Sequence, residues 1–188
     1  MKIINFYTNE KQLIKKSALG DREAQQRLYE KHAPKMLGVC RRYIKDLQFA
    51  EDVMVTGFVK VFKYLDSFKF EGSFEGWIRR IMIRESISYL RKQQFVVYDN
   101  EVFEAQEDHG AADASSDLDV EYLQVLIDGL PAGYRTVFVL SVVEGYSHQE
   151  IAKMLNITES TSKSQLFKAR RQLQEKLRAQ NTIGYGTE

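Results

Sequence analysis

Between Tyr146 and Arg178 the sequence carries the punctuation of two helices joined by a tight turn. Ser147-His148-Gln149-Glu150 has the form of a capping box. In that motif the serine hydroxyl takes the Glu150 amide and the glutamate carboxylate reaches back to the serine amide. Tyr146 and Ile151 fall at the two positions of a hydrophobic staple. The helix so started is expected to end near Leu155, because Asn156 tolerates a left-handed turn. Thr158 can cap a second helix. On it Ser162, Leu166, Ala169, Leu173 and Leu177 recur at helical spacing and form one stripe. Lys163, Ser164, Phe167, Lys168 and Arg171 lie off that stripe. Two helices joined by about three residues form the geometry that sends the second into a DNA major groove. A plain helical hairpin with a solvated basic face has the same spacing. The agreement of caps, turn residue and basic face favours DNA.

The rest of the chain also reads as helical. Pro34 and Pro131 are its two prolines, and no long alternating Val/Ile/Thr stretch occurs in the 188 residues. The expected fold class is all-α: two small helical domains joined by a flexible acidic linker, the C-terminal one a helix-turn-helix. The net charge of +1 hides a segregation. Residues 1–92 hold 19 Lys and Arg against 11 Asp and Glu. Residues 93–122 hold 9 acids and no Lys or Arg, and residues 123–188 hold 8 bases against 6 acids. The expected domains are therefore 1–92 and 120–188, with 93–119 between them. The connector, from about Gln93 to Asp117, includes His109-Gly110-Ala111-Ala112-Asp113-Ala114-Ser115-Ser116, which is polar and breaks helical periodicity.

Composition also excludes classes. No run of eighteen apolar residues exists, so no membrane insertion is expected. Met1 to Lys11 lacks the apolar core of a signal peptide. Cys40 is the single cysteine. It suits a reducing cytoplasm and, between Leu37 and Ile44, a small core position. His32, His109 and His148 are scattered, so no metal and no cofactor is expected. No glycine-rich phosphate loop occurs, and the adjacent Glu51 and Asp52 face different directions on a helix. No catalytic residues are assigned, and an enzyme is not expected.

In the N-terminal half, Asp21 to His32 has helical spacing with Ala24 and Leu28 inward, and Pro34 is expected to break or kink the helix. Met36, Leu37, Cys40, Tyr43 and Ile44 continue the pattern. Glu51 to Leu65 is a further helix, with Met54, Phe58, Val61, Phe62 and Leu65 on one face. Its start, Glu51-Asp52, is acidic and its end, with Lys60 and Lys63, is basic, which matches the helix dipole. Phe68 to Ser73 is a break, and Ser73 can cap a helix from Phe74 to about Lys92. Trp77, Ile78, Ile81, Met82 and Leu90 give that helix an apolar face. Arg79, Arg80, Arg84, Arg91 and Lys92 give it a basic one. Cations hold phosphates and aromatic faces stack unpaired bases. Phe68, Phe70, Phe74, Trp77 and Tyr89 are core aromatics or stacking surfaces on this evidence; the excess positive charge favours nucleic-acid contact for the helix as a whole.

Two sets of motifs now resemble one family. Ala50-Glu51-Asp52-Val53, Gly57-Phe58-Val59-Lys60-Val61-Phe62 and Gly72-Ser73-Phe74-Glu75-Gly76-Trp77-Ile78-Arg79-Arg80-Ile81-Met82 resemble region two of extracytoplasmic-function sigma factors. Leu130-Pro131-Ala132-Gly133-Tyr134-Arg135-Thr136-Val137-Phe138, Glu144 to Ala152, and Thr161-Ser162-Lys163-Ser164-Gln165-Leu166 resemble region four. The wording is closest to Bacteroidetes-type forms. The resemblance covers about residues 12–92 and 120–178.

The resemblance implies a sigma factor that guides core RNA polymerase to promoter DNA. Region two would dock on the clamp helices of the largest subunit, through Glu51, Asp52, Thr56 and Lys60. It would also hold and melt the −10 element through Trp77, Arg80, Arg84, Ser88 and Arg91, with Phe68 and Phe70 beside a flipped base. Region four would dock on the flap of the second-largest subunit and read the −35 element through Thr161, Lys163, Ser164, Phe167, Lys168 and Arg171. The acidic linker would lie in the cationic cleft. An anti-sigma factor is a further implied partner, and the cytoplasm the implied location. Val55 and Thr56 stand where the family commonly has a Gln-Glu pair, and Arg84 and Ser88 where it has Asn and Asp. The latter change adds a positive charge and removes a negative one. The competing reading is a helix-turn-helix regulator that binds an operator without polymerase. It would need a sensor domain, and the N-terminal half offers basic and aromatic helices instead.

Overall fold

The computed structural model describes residues 10–93 and 120–183, excepting the side chains of 120, 121 and 179–183. The expected linker, apart from Gln93, therefore lies outside the described residues. All regular structure among the described residues is helical. The chain divides into two units, Met1–Tyr89 and Leu90–Glu188, each built around its own apolar core.

In the first unit α1 (Glu10–Ala18) packs on α2 (Arg22–Arg41), and α2 packs on α3 (Leu47–Lys63). A 3-10 turn, Leu65–Ser67, leads to a loop and then to α4 (Phe74–Lys92). Leu13 and Ile14 of α1, Leu28, Met36 and Val39 of α2, Met54, Phe58 and Val61 of α3, and Ile78, Met82 and Ile83 of α4 are buried. Cys40 sits in this core, and burial pushes its thiol pKa up to about 11, so it stays protonated and inert.

Two expectations are corrected here. Of the break or kink expected at Pro34, a break does not occur: α2 runs on through it. Proline removes one hydrogen bond, but Leu28, His32, Met36, Val39 and Cys40 keep one buried face across it, and that packing holds the two halves together. The third helix starts a turn earlier than its acidic pair. Asp46 is its N-cap and accepts the Phe49 amide at 3.0 Å. Glu51 and Asp52 thus stand beyond the first turn, where the dipole has faded.

Helices α3 and α4 meet at Gly57, Lys60 and Phe49. A Cβ at Gly57 would overlap the end of the Met82 thioether, so a side chain there would require Met82 to shift. Lys60 bridges to Glu85 at 2.7 Å, and the rings of Phe49 and Tyr89 lie 5.9 Å apart. Ser73 caps α4 by accepting the Gly76 amide at 3.1 Å. The buried face of α4 comprises Phe74, Ile78, Met82, Ile83, Ser86, Ile87 and Leu90, whereas Trp77 and Ile81 are half-buried.

In the second unit α5 (Val120–Asp128) and α6 (Ala132–Phe138) precede a π-type turn, Val139–Val143. That turn is marked by the Glu144 amide reaching the Val139 carbonyl at 3.0 Å. Then come α7 (His148–Leu155) and α8 (Glu159–Ile183). Helix α8 packs on α5, α6 and α7. Leu130, Val137, Leu140, Ile151, Leu155, Leu166 and Ala169 form the core.

Candidate nucleic-acid and polymerase interfaces

The turn between α7 and α8 follows its local sequence. Ser147 and Glu150 complete the capping box: the serine hydroxyl accepts the Glu150 amide at 3.3 Å, and the glutamate accepts the Ser147 amide at 2.9 Å. The hydrogen bonds from Ser147 hold the Glu150 carboxyl below its ordinary pKa. Asn156 closes α7 in the left-handed region at φ 57°. Thr158 accepts the Thr161 amide at 3.0 Å and so starts α8. One side-chain contact then ties the two helices: His148 Nδ1 lies 2.8 Å from Ser162 Oγ. Burial, and then the charge of Lys163, holds the His148 imidazole below its usual pKa.

The outward face of α8 is narrower than the stripe predicts. Lys163, Phe167 and Arg171 are exposed, with Phe167 at 40 % of its surface, and Lys168 is half-buried. Thr161 and Ser164, expected among the base-reading residues, are turned inward. Thr161 shares a 2.7 Å hydroxyl contact with Thr158, and the Ser164 hydroxyl donates to the Thr161 carbonyl at 3.0 Å. Gln165 is buried as well. The physical reason is that α8 is packed by α6 and α7 from two sides. Past Ala169 the packing thins, and Leu173 and Leu177 of the expected stripe are only half-buried. Lys163 pairs with Glu159 at 3.0 Å and Arg171 with Glu175 at 2.9 Å. Exposed i,i+4 pairs of this kind are worth about 0.3–0.5 kcal/mol, so both cations can exchange them for phosphate.

On α4, residues 77, 80, 84, 88 and 91 fall on one face opposite the core. Arg80, Arg84 and Arg91 are exposed, and Trp77 and Ser88 half-buried. The loop before α4 is strained at Phe70, which holds a left-handed φ of 60°. Such a residue costs of order 1–3 kcal/mol and persists where the surroundings impose it. Phe70 is partly exposed, with Lys11 of α1 over its ring at 5.3 Å. Phe68, expected beside it as a stacking surface, is buried. Its ring is enclosed by Phe70 at 5.0 Å, Phe74 at 5.2 Å and Trp77 at 5.5 Å. Phe68 therefore supports Phe70 from below. A cavity of about 370 Å³ opens here, lined by Lys11, His32, Phe68, Phe70, Phe74 and Glu75 among others. Helix α1, which supplies Lys11, carries none of the motifs. The spacing of Leu13, Ile14 and Ser17, all buried, was the available signal.

On α3, Glu51, Asp52 and Thr56 are exposed, and the Thr56 hydroxyl donates to the Asp52 carbonyl at 2.9 Å. Lys60 is exposed too, but its charge is answered by Glu85. Val55 and Val59 are exposed on the same helix, at 49 % and 63 %. Among the described residues no cluster of potential metal ligands occurs, and no helix is long and apolar enough to cross a membrane.

Comparison with known proteins agrees with this layout. Residues 28–96 match the family model of sigma-70 region 2, and residues 121–173 match that of sigma-70 region 4. The RNA polymerase sigma-H factor of Pseudomonas aeruginosa is 28 % identical over 183 residues, covering 89 % of this chain and 93 % of that protein. The ECF RNA polymerase sigma factor SigW of Bacillus subtilis is 29 % identical over 191 residues, covering 89 % and 96 %. Among solved structures, the sigma factor RpoE of Bartonella quintana, in complex with the anti-sigma factor NepR, matches with a TM-score of 0.51 at 25 % identity. It covers 81 % of this chain and 96 % of that one. Both sigma regions are present, in order and over more than half of the sequence, and the chain belongs to the extracytoplasmic-function sigma factors of RNA polymerase.

Proposed function

We propose a division of labour for this sigma factor, resting on the three outward faces of α3, α4 and α8. The unit formed by residues 1–92 docks on the clamp helices of the polymerase's largest subunit and holds the −10 element. Residues 120–188 dock on the flap of the second-largest subunit and read the −35 element, and residues 93–119 connect them. Docking uses Glu51, Asp52 and Thr56, with Lys60 held in place by Glu85. The −10 strand runs along Trp77, Arg80, Arg84, Ser88 and Arg91, and Phe70 offers its ring to an unstacked base. Phe167 reads the −35 element, while Lys163, Lys168 and Arg171 hold phosphate. The observation that carries the −10 assignment is the three exposed arginines on one face of α4, beside a strained, partly exposed Phe70. The factor works in the cytoplasm, and it is a promoter-selecting subunit with no chemistry of its own. By analogy with the Bartonella quintana complex, an anti-sigma factor is its regulator. The operator-binding alternative is not favoured, because a sigma-70 region 2 precedes the helix-turn-helix.

Two measurements test this division. Arg84→Ala is expected to reduce open-complex formation and to lower the salt slope of promoter binding by roughly one phosphate. The Arg84 side chain is exposed on α4, so its loss leaves the fold intact. A slope equal to that of the native chain removes Arg84 from the phosphate contacts. Replacing the acids of residues 93–119 by Ser and Gln is expected to slow initial RNA synthesis and promoter escape, since an anionic segment fits a channel built for nucleic acid. Unaltered abortive and full-length transcript yields would end the charge-mimicry reading.

A further inference from the structure

The two helices of the helix-turn-helix are held by two kinds of force. Ile151 and Leu155 of α7 and Leu166 of α8 are buried, and the two helices pack together; the hydrophobic attraction is non-directional. Packing against α5, α6 and α7 sets the rotation of α8 broadly, and a directional contact on its first turn can refine it. A hydrogen bond is directional. Between the side chains of α7 and α8, one joins His148 Nδ1 and Ser162 Oγ at 2.8 Å. Ser162 is fully buried on the first turn of α8, and Lys163 follows it. Phe167 lies five residues on, so a rotation at Ser162 carries directly to it.

We propose that His148 is a positioning residue for −35 recognition, acting through Ser162 to fix the rotation of α8 in the groove. The pairing suits the task. A hydroxyl both donates and accepts, so Ser162 can meet Nδ1 in either tautomer of the imidazole. Ser162 is buried, so losing the histidine removes a partner from a hydroxyl that sits in the core. His148 itself needs no contact with a base. The inference rests on the assignment of α8 to the −35 element.

The test uses polymerase holoenzyme reconstituted with the full chain and promoters carrying a cognate or a scrambled −35 element. His148→Ala, His148→Phe and Ser162→Ala are each expected to lower cognate affinity about three- to tenfold, the scale of one net hydrogen bond. Affinity for the scrambled promoter should stay nearly constant, so the ratio of the two falls. His148→Asn should restore most of the ratio, because its amide can reach Ser162 from about where Nδ1 sits. His148→Phe keeps bulk without a hydrogen bond and separates filling from positioning. Circular dichroism of each free variant confirms folding; if His148→Ala is unfolded, Ser162→Ala and the Asn and Phe replacements still decide. The proposal is overturned if Ser162→Ala and His148→Phe leave the ratio unchanged, or if His148→Asn is as impaired as His148→Phe. Phe167→Ala is measured alongside. If it lowers the ratio while the His148 and Ser162 variants do not, positioning alone fails; if it too leaves the ratio unchanged, the −35 assignment fails and the inference with it.

Discussion

Asp52→Lys is expected to cost core-polymerase binding on the order of 2–5 kcal/mol and to abolish co-purification with core enzyme. Reversing a charge at a docking face places like charges together, which costs several kcal/mol and slows association. The fold should not respond. Asp52 is exposed, and among the described residues its carboxylate takes no part in an ion pair or side-chain hydrogen bond; what Thr56 uses is its backbone carbonyl. Because α3 begins at Leu47 under an Asp46 cap, Asp52 is beyond the turn where a negative charge supports the helix dipole. A surface substitution of this kind changes stability by about 0.5 kcal/mol or less. The measurement pairs affinity pull-down of core polymerase with a thermal melt. Normal pull-down at a normal melting temperature would rule out this docking face. A depressed melting temperature would instead mean that the carboxylate serves the fold.

Phe167→Ala is expected to cost about 1–3 kcal/mol at the cognate −35 element, the scale of one base contact. Two neighbours on α8, Leu166 and Ala169, are buried, while Phe167 keeps 40 % of its surface exposed. An aromatic ring held there can pack on a thymine methyl. Lys168→Ala should behave differently. A phosphate contact carries no sequence information, so its loss weakens cognate and scrambled DNA alike and reduces the salt slope by about one. Titrations of both variants on both DNAs separate the roles. Equal losses for Phe167→Ala on the two sequences would make it a general contact and not a base reader.

Much of this was legible in the residues. The capping box at Ser147, the left-handed Asn156, the Thr158 cap and the Ser73 cap are all found where the sequence places them. Each is a contact between residues at most four positions apart, so a short stretch of sequence contains both partners. The basic face of α4 was legible for the same reason, since spacing puts 80, 84 and 91 together, although Arg79, grouped with them, falls toward the buried side and is half-buried.

What the sequence did not contain was how many neighbours each helix would have. A single stripe describes a helix packed from one side. Helix α8 is packed by α6 and α7, so Thr161, Ser164 and Gln165 are buried along with the stripe, and fewer residues face outward. Phe68 and Phe70 look equivalent in sequence, but α4 brings Phe74 and Trp77 against the first and leaves the second partly exposed. Pro34 forecast a break that packing across both halves of α2 prevents. His148 meets Ser162 only because the turn folds one helix back on the other. The caps, most of the helices and the family motifs were carried by the sequence alone, since those depend on nearest neighbours and on motifs in order; α1 and the start of α3 were not. Which side chains stay exposed and which turn to the core was decided by tertiary packing, because burial depends on surfaces contributed by residues far apart in the chain.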